Sequence, residues 1–140
     1  MRTDLASIIR TARTAEIQAI SIYEAELFFI RNEKRRALLK EILAEEREHD
    51  DAMKGEVGLG ALSLLLNRLA GWMFGSFLAC LPWGWMCRIQ HWAEGQAAEV
   101  YERAATQAKT LGASAELIHS FESAARQERL HAARFRLRKI

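Results

Sequence analysis

The chain has 140 residues, half of them hydrophobic, with one proline and eight glycines. That is enough for one domain, residues 1–140, with a core of its own, and the composition favours helix over sheet. A net charge of +2 gives no argument for a nucleic-acid partner, and the basic group Arg134, Arg136, Arg138 and Lys139 reads as a helix end matched to its dipole or as a solvated tip.

The first predicted helix covers residues 4–30. Its apolar stripe is Ile9, Ala12, Ala19, Ile20, Tyr23, Leu27 and Ile30, and Glu16 falls inside that stripe. The charges at Arg2, Asp4, Arg10 and Arg13 argue against a secretory signal. A break near Asn32 leads to a second helix over residues 34–54. Leu39, Ile42 and Met53 mark its inner face, and Glu46 and His49 take positions where a core-facing helix would carry leucine.

Residues 55–60, "GEVGLG", end that helix. Residues 69–87 carry no charge and reach the length of a membrane span. Gly71, Gly75, Pro82 and Gly84 interrupt the stretch, and all four tryptophans lie between Trp72 and Trp92. A single span would put the first two helices and the last two on opposite sides of a bilayer and pull apart the polar residues they share. The stretch is therefore expected to be a crossover, either buried along the helices or dipping a Trp-rich face into the membrane interface. The tryptophans favour the interface. Trp72, Phe74, Trp83 and Trp85 are the residues expected at membrane contact and substrate access. Cys80 and Cys87 lie in apolar sequence and read as buried free thiols of a reducing compartment.

The third helix is predicted over residues 85–111, with Cys87, Gln90, Glu94, Ala97, Ala98, Tyr101, Ala105 and Ala108 inward. Gly112 stops it, and Ser114 is a candidate N-cap for a last helix whose stripe is Leu117, Phe121, Ala124, Glu128, His131 and Phe135. The fold expected is all-α: a four-helix bundle of two antiparallel pairs, joined by a long apolar crossover between the second and third helices.

The halves resemble each other. Glu16 precedes Glu46 by 30 residues and Glu94 precedes Glu128 by 34, while Tyr23 and Tyr101 each follow a stripe glutamate by seven. Two helices thus offer one Glu each, and two offer Glu-x-x-His. Residues i and i+3 share a helix face, so such a pair can reach one ion. Six residues, Glu16, Glu46, His49, Glu94, Glu128 and His131, form the ligand pattern of carboxylate-bridged di-iron and di-manganese bundles. Four carboxylates balance two divalent ions, and without ions they would repel in a core. Oxygen-rich ligation with one His per metal suits iron or manganese better than structural zinc. A third Glu-x-x-His, Glu116 to His119, points away from Glu128 and matches no half-repeat; it reads as a surface pair.

Together these stretches resemble the demethoxyubiquinone hydroxylase family of ubiquinone biosynthesis, a ferritin-like di-iron group. The likeness covers about residues 10–134. It is carried by "RTAEIQAISIYEAEL", "EEREHDDAM", "LLLNRLAGWMFGSFLACLPWGWMCRIQHWAE" and "FESAARQERLH". The six ligands map onto the six residues above, and the family tyrosine after the third-helix ligand matches Tyr101, which is thereby a candidate for a catalytic role beside a substrate cavity. Arg13 and Val100 stand where the family has His. The resemblance implies a ferritin-like fold and a di-iron monooxygenase that hydroxylates a membrane polyprenyl benzoquinone. It implies two iron ions (manganese being the other metal the ligands suit), O2, a reductant such as NADH, and a peripheral place on the cytoplasmic face of the membrane. A homo-oligomer or a partner protein of ubiquinone biosynthesis would fit the same role. The competing reading is a ferritin-like or rubrerythrin-like iron oxidase, peroxidase or iron-handling protein without an organic substrate. A third is a non-enzymatic membrane-associated or assembly module that keeps the site for stability.

Overall fold

The structure, a computed structural model, describes residues 4–137, the Leu137 side chain excepted. The described residues are all-helical: α1 (Leu5–Phe29), α2 (Glu33–Lys54), α3 (Ala61–Ala79), α4 (Trp83–Thr110) and α5 (Ala115–Leu137). The boundaries have local causes. Asp4 caps α1 by accepting from the Ser7 amide at 2.6 Å, Asn32 caps α2 through the Arg35 amide at 3.1 Å, and Ser114 accepts from the Leu117 amide at 3.2 Å. Arg36 donates to the carbonyls of Leu27 and Ile30, which the end of α1 leaves without helical partners. Gly112, at φ 72°, turns the chain out of α4 in the left-handed region that a Cβ disfavours.

Two apolar clusters set the packing. One joins Ile8, Ile9 and Ala12 of α1 to Met53, to Tyr101 and Ala108 of α4, and to Leu117, Phe121 and Ala124 of α5. The other joins Ile20 and Tyr23 to Leu38, Leu39, Ile42 and Leu43 of α2, Leu78 of α3, Trp83, Met86 and Cys87 of α4, and Phe135. Along each of α1, α2, α4 and α5 the predicted ligands fall between these clusters in sequence, so a polar layer lies between two greasy ones. The order of the clusters along the chain also fixes direction: α1 and α5 run one way, α2 and α4 the other.

The crossover is itself a helix, which corrects the expectation of four. Gly71 and Gly75 read locally as interruptions, yet both sit inside α3 and are buried against α1. A Cβ on Gly71 would meet the Gln18 carbonyl oxygen at 2.6 Å and the Ser21 Cβ at 2.8 Å, and one on Gly75 would collide with the Ile22 backbone. Here glycine permits close approach of two backbones. The next helix starts at Trp83, two residues earlier than expected from the sequence. Two side-chain expectations also change. Cys80 is exposed while Cys87 is buried. Trp83, expected at a membrane contact, is only 8% exposed and packs in the core under the Arg35 guanidinium, 4.8 Å from its ring centre. Trp72 is half-buried, and Phe74 and Trp85 are exposed.

Candidate metal centre

The polar layer brings all six predicted ligands together, every one buried. Their donor atoms fall into two groups, Glu16, Glu46, His49 and Glu128 in one, and Glu46, Glu94, Glu128 and His131 in the other; within each group the atoms lie within 4.8 Å of one another. Glu46 and Glu128 belong to both. Each group therefore has one terminal carboxylate, one imidazole and two shared carboxylates, and each could hold a metal ion.

The histidines show which atoms face the centre. His49 Nδ1 lies 3.2 Å from Glu128, 3.6 Å from Glu16 and 3.7 Å from Glu46. His131 Nδ1 lies 3.1 Å from Glu46, 3.4 Å from Glu128 and 3.7 Å from Glu94. The opposite ring nitrogens point outward. His49 Nε2 donates to Gln127 Oε1, and His131 Nε2 donates to Glu45 Oε2. Glu45 is in turn held by Arg134 at 3.2 Å. With Nε2–H spent outward, each neutral imidazole turns its Nδ1 lone pair toward carboxylate oxygens. Both Nδ1 atoms, and Glu16 Oε2, Glu46 Oε1 and Glu128 Oε2, are buried without a hydrogen-bond partner. Acceptors facing acceptors in a core need a cation between them, or protons in its place. The donor set fits a pair of divalent ions.

Without an ion, protons would take that place. Burial, then the Glu46 charge, pushes Glu16 well above the usual carboxylate range. Burial, set against the His131 hydrogen bond, brings Glu94 up to about 8. Burial also opposes charge on Glu128 and Glu46, but the two histidines beside them, when protonated, outweigh it, holding Glu128 at about 2 and Glu46 below its ordinary value. Burial disfavours charge on the imidazoles too. The carboxylates around them outweigh it, led by Glu128, raising His131 to about 12 and His49 further still. Two carboxylates and two imidazolium ions then cancel, leaving the layer neutral.

No protein-family model, curated protein or solved structure matches this chain.

The tyrosines exchange partners between the halves. Each lies two turns from the glutamate on its own helix, yet Tyr23 donates to Glu94 and Tyr101 donates to Glu16. Each terminal carboxylate is thus steadied by the opposite half. Tyr23 stacks on Phe135, with ring centres 6.4 Å apart, whereas Tyr101 sets its edge toward His49 and borders a cavity of about 280 Å³. Met53, Phe121 and Ala124 give that cavity apolar walls, and His49 and Gln127 line it where it reaches the ligands. Glu116 and His119 are both exposed, as the surface-pair reading has it, and His119 stands among the cavity's lining residues.

Two further buried groups, and the half-buried outer partners of the histidines, were not assigned to the site from the sequence. Arg13 pairs with Asp50 at 2.9 Å and donates to the Val57 carbonyl, tying α1, α2 and the loop after α2 together beside the site. Glu26, fully buried, accepts from Gln90 at 2.7 Å, and burial pushes its carboxyl up to about 8. Glu45 and Gln127, the outer partners of the histidines, each directly precede a ligand glutamate. Extending the repeated Glu-x-x-His by one residue, to Glu-Glu-x-x-His and Gln-Glu-x-x-His, would have found them.

Proposed function

We propose that the protein is a di-iron carboxylate oxidoreductase that activates O2, with α1, α2, α4 and α5 forming a ferritin-like bundle around the metals. The observation that carries this reading is the sharing of Glu46 and Glu128 between two otherwise separate ligand groups. Iron suits the donor set, with manganese the alternative; two iron ions bound there would supply the redox chemistry that oxygen activation needs. The chain's own part is to hold the ligands, steady Glu16 and Glu94 through Tyr101 and Tyr23, and keep bulk water out with the apolar clusters above and below.

Hydroxylation of a polyprenyl benzoquinone, with an external reductant such as NADH, is the substrate class we favour, as the likeness to demethoxyubiquinone hydroxylases suggests. Its support in the molecule is an exposed apolar helix, α3, suited to a membrane surface, and a cavity beside His49 in which Tyr101 would line the ring's position. At about 280 Å³ the cavity is near the lower end of ligand pockets, room for a ring rather than a prenyl tail. The same small volume, with Glu48, His119 and Gln127 among its lining, favours the second reading, an iron oxidase or peroxidase without an organic substrate.

Two measurements test these readings. Purified protein should bind about two irons per chain, and Glu46→Ala or Glu128→Ala, each removing a carboxylate common to both groups, should lower that at least tenfold in affinity. Unchanged iron content in both variants would reject the metal centre. Complementation of a strain deficient in ubiquinone hydroxylation, with quinones read by mass spectrometry, tests the substrate: rescue that depends on Glu128 supports the quinone reading, and failure by a chain that does bind iron transfers the weight to the second.

A further inference from the structure

We infer that the two metal positions are unequal: the Glu94/His131 position is the tight, retained one, and the Glu16/His49 position is the one that ions and small ligands enter and leave. The inference rests on the metal-centre reading above. The inner donors give no reason for a difference, since each position has one terminal Glu, one His and the same two shared carboxylates. The outer shell does. His131 donates its Nε2–H to a carboxylate, Glu45, itself anchored by Arg134 at 3.2 and 3.4 Å. His49 donates its Nε2–H to a neutral amide, Gln127. A carboxylate behind an imidazole makes the far nitrogen a stronger donor to a metal, typically worth ten- to a hundredfold in affinity.

Access points the same way. His49, Tyr101 and Gln127 all line the cavity of about 280 Å³, so an ion or small anion can approach the Glu16/His49 position from it. His131 is wholly buried, and Tyr23, which donates to Glu94 of the same position, is itself buried and stacks on Phe135. Charge support and burial therefore coincide at one position, and neutral support and an opening coincide at the other.

The test is a cobalt(II) titration of the whole chain, followed by visible absorption, with azide as a small-ligand probe. Two ions that share carboxylates repel, so stepwise binding alone would not distinguish equal from unequal positions; the outer-shell variants do. Glu45→Gln should weaken the first step about fivefold or more, since the other position then shares the first ion. Gln127→Glu should leave the first step within about twofold and tighten the second, by the same carboxylate effect. Azide should perturb the spectrum only once the second ion is bound. Equal positions would give the reverse pattern, with Glu45→Gln sparing the first step and Gln127→Glu tightening it, and that result, or azide binding to the singly loaded chain, overturns the inference. Circular dichroism establishes that each variant folds, and if Glu45→Gln does not, the Gln127→Glu arm decides alone. Absence of any cobalt binding overturns the metal-centre reading along with it, whereas two equal equivalents overturn only the inequality.

Discussion

Protons and metal ions would compete for the same buried atoms. With Glu16 and Glu94 shifted up and both histidines shifted far up, the centre without ions would hold about four protons at pH 7 that two divalent ions would displace. Loading the apo-protein in weak buffer should release about four protons per chain, read with a pH indicator, and affinity should fall steeply as pH falls. Release of one proton or none would contradict the protonated centre. Glu26 gives a separate pH signature. Its folded-state value of about 8 stands above the ordinary 4.5, so between those values the unfolded chain has lost a proton that the folded chain keeps. That contribution is present in full below about 4.5 and is lost as pH rises toward 8. Glu26→Gln should therefore add on the order of a few kcal/mol of stability at pH 8, read as a higher Tm, and change Tm little at pH 5; equal effects at both pH values would count against a neutral Glu26. At this scale the clustering of the six candidate residues was legible because carboxylates at leucine positions violate an otherwise consistent pattern. Glu26 violates the same rule and was passed over, having no repeat partner in the other half. The crossed tyrosines were beyond sequence reasoning, since helical phase assigns a side chain to a face and not to the neighbour it meets.

Among the elements, α3 shows how one residue type carries opposite meanings. Glycine weakens an isolated helix by about 1 kcal/mol relative to alanine, which is why residues 69–87 read as a broken crossover rather than a helix. Packing reverses the sign where α3 lies directly on α1. Gly75→Ala should destabilise by about 1–3 kcal/mol, because its Cβ meets Ile22 backbone that cannot swing aside. Gly95→Ala in the middle of α4, where an added Cβ meets nothing within 4 Å, should stabilise by about 0.5–1 kcal/mol. Urea denaturation of the two variants checks both signs; a stabilised Gly75→Ala would mean that α3 does not sit on α1 in solution. The other four helices were legible because periodicity agrees with the caps at Asp4, Asn32 and Ser114 and with the Gly112 stop; only the start of α4, which has no side-chain cap, was placed two residues late. For α3, composition signalled its exposed side and only tertiary contact explains its buried one.

At the level of the whole molecule, α3 leaves a surface that water covers poorly. It is the one described helix long and apolar enough to cross a membrane, and only 17% of its apolar window is buried. Gly71, Gly75 and Leu78 face inward, while Leu62, Leu65, Leu66, Leu69, Met73 and Phe77 are exposed, with Phe28 and Phe29 from the end of α1 exposed as well. Crossing a bilayer would require α3 to leave α1, and the two glycines are fitted to α1. Lying in the interface keeps that contact and still buries the leucines, at about 25 cal/mol per Å² of apolar surface removed from water. We expect the whole protein to sediment with vesicles, and Leu65→Glu combined with Leu69→Glu to weaken that binding at least tenfold, since two charges would enter the apolar layer. The variant should keep its metal content, because neither residue touches the centre. Since Trp83 is buried and Trp85 is 59% exposed, Trp85→Ser should weaken binding while Trp83→Ser acts through stability instead. If the double glutamate variant binds vesicles as well as the parent chain, the face serves another purpose, and a change from dimer to monomer in that variant without lipid would identify it as a contact between copies. Access to the candidate metal centre is a separate matter, because the cavity beside His49 is lined from α2, α4 and α5 whereas α3 lies along α1. A membrane-bound substrate would then have to reach round the bundle, so Leu65→Glu/Leu69→Glu should impair turnover of a prenylated quinone in vesicles while sparing a short-chain quinone in solution; equal losses for both would tie α3 to the site itself.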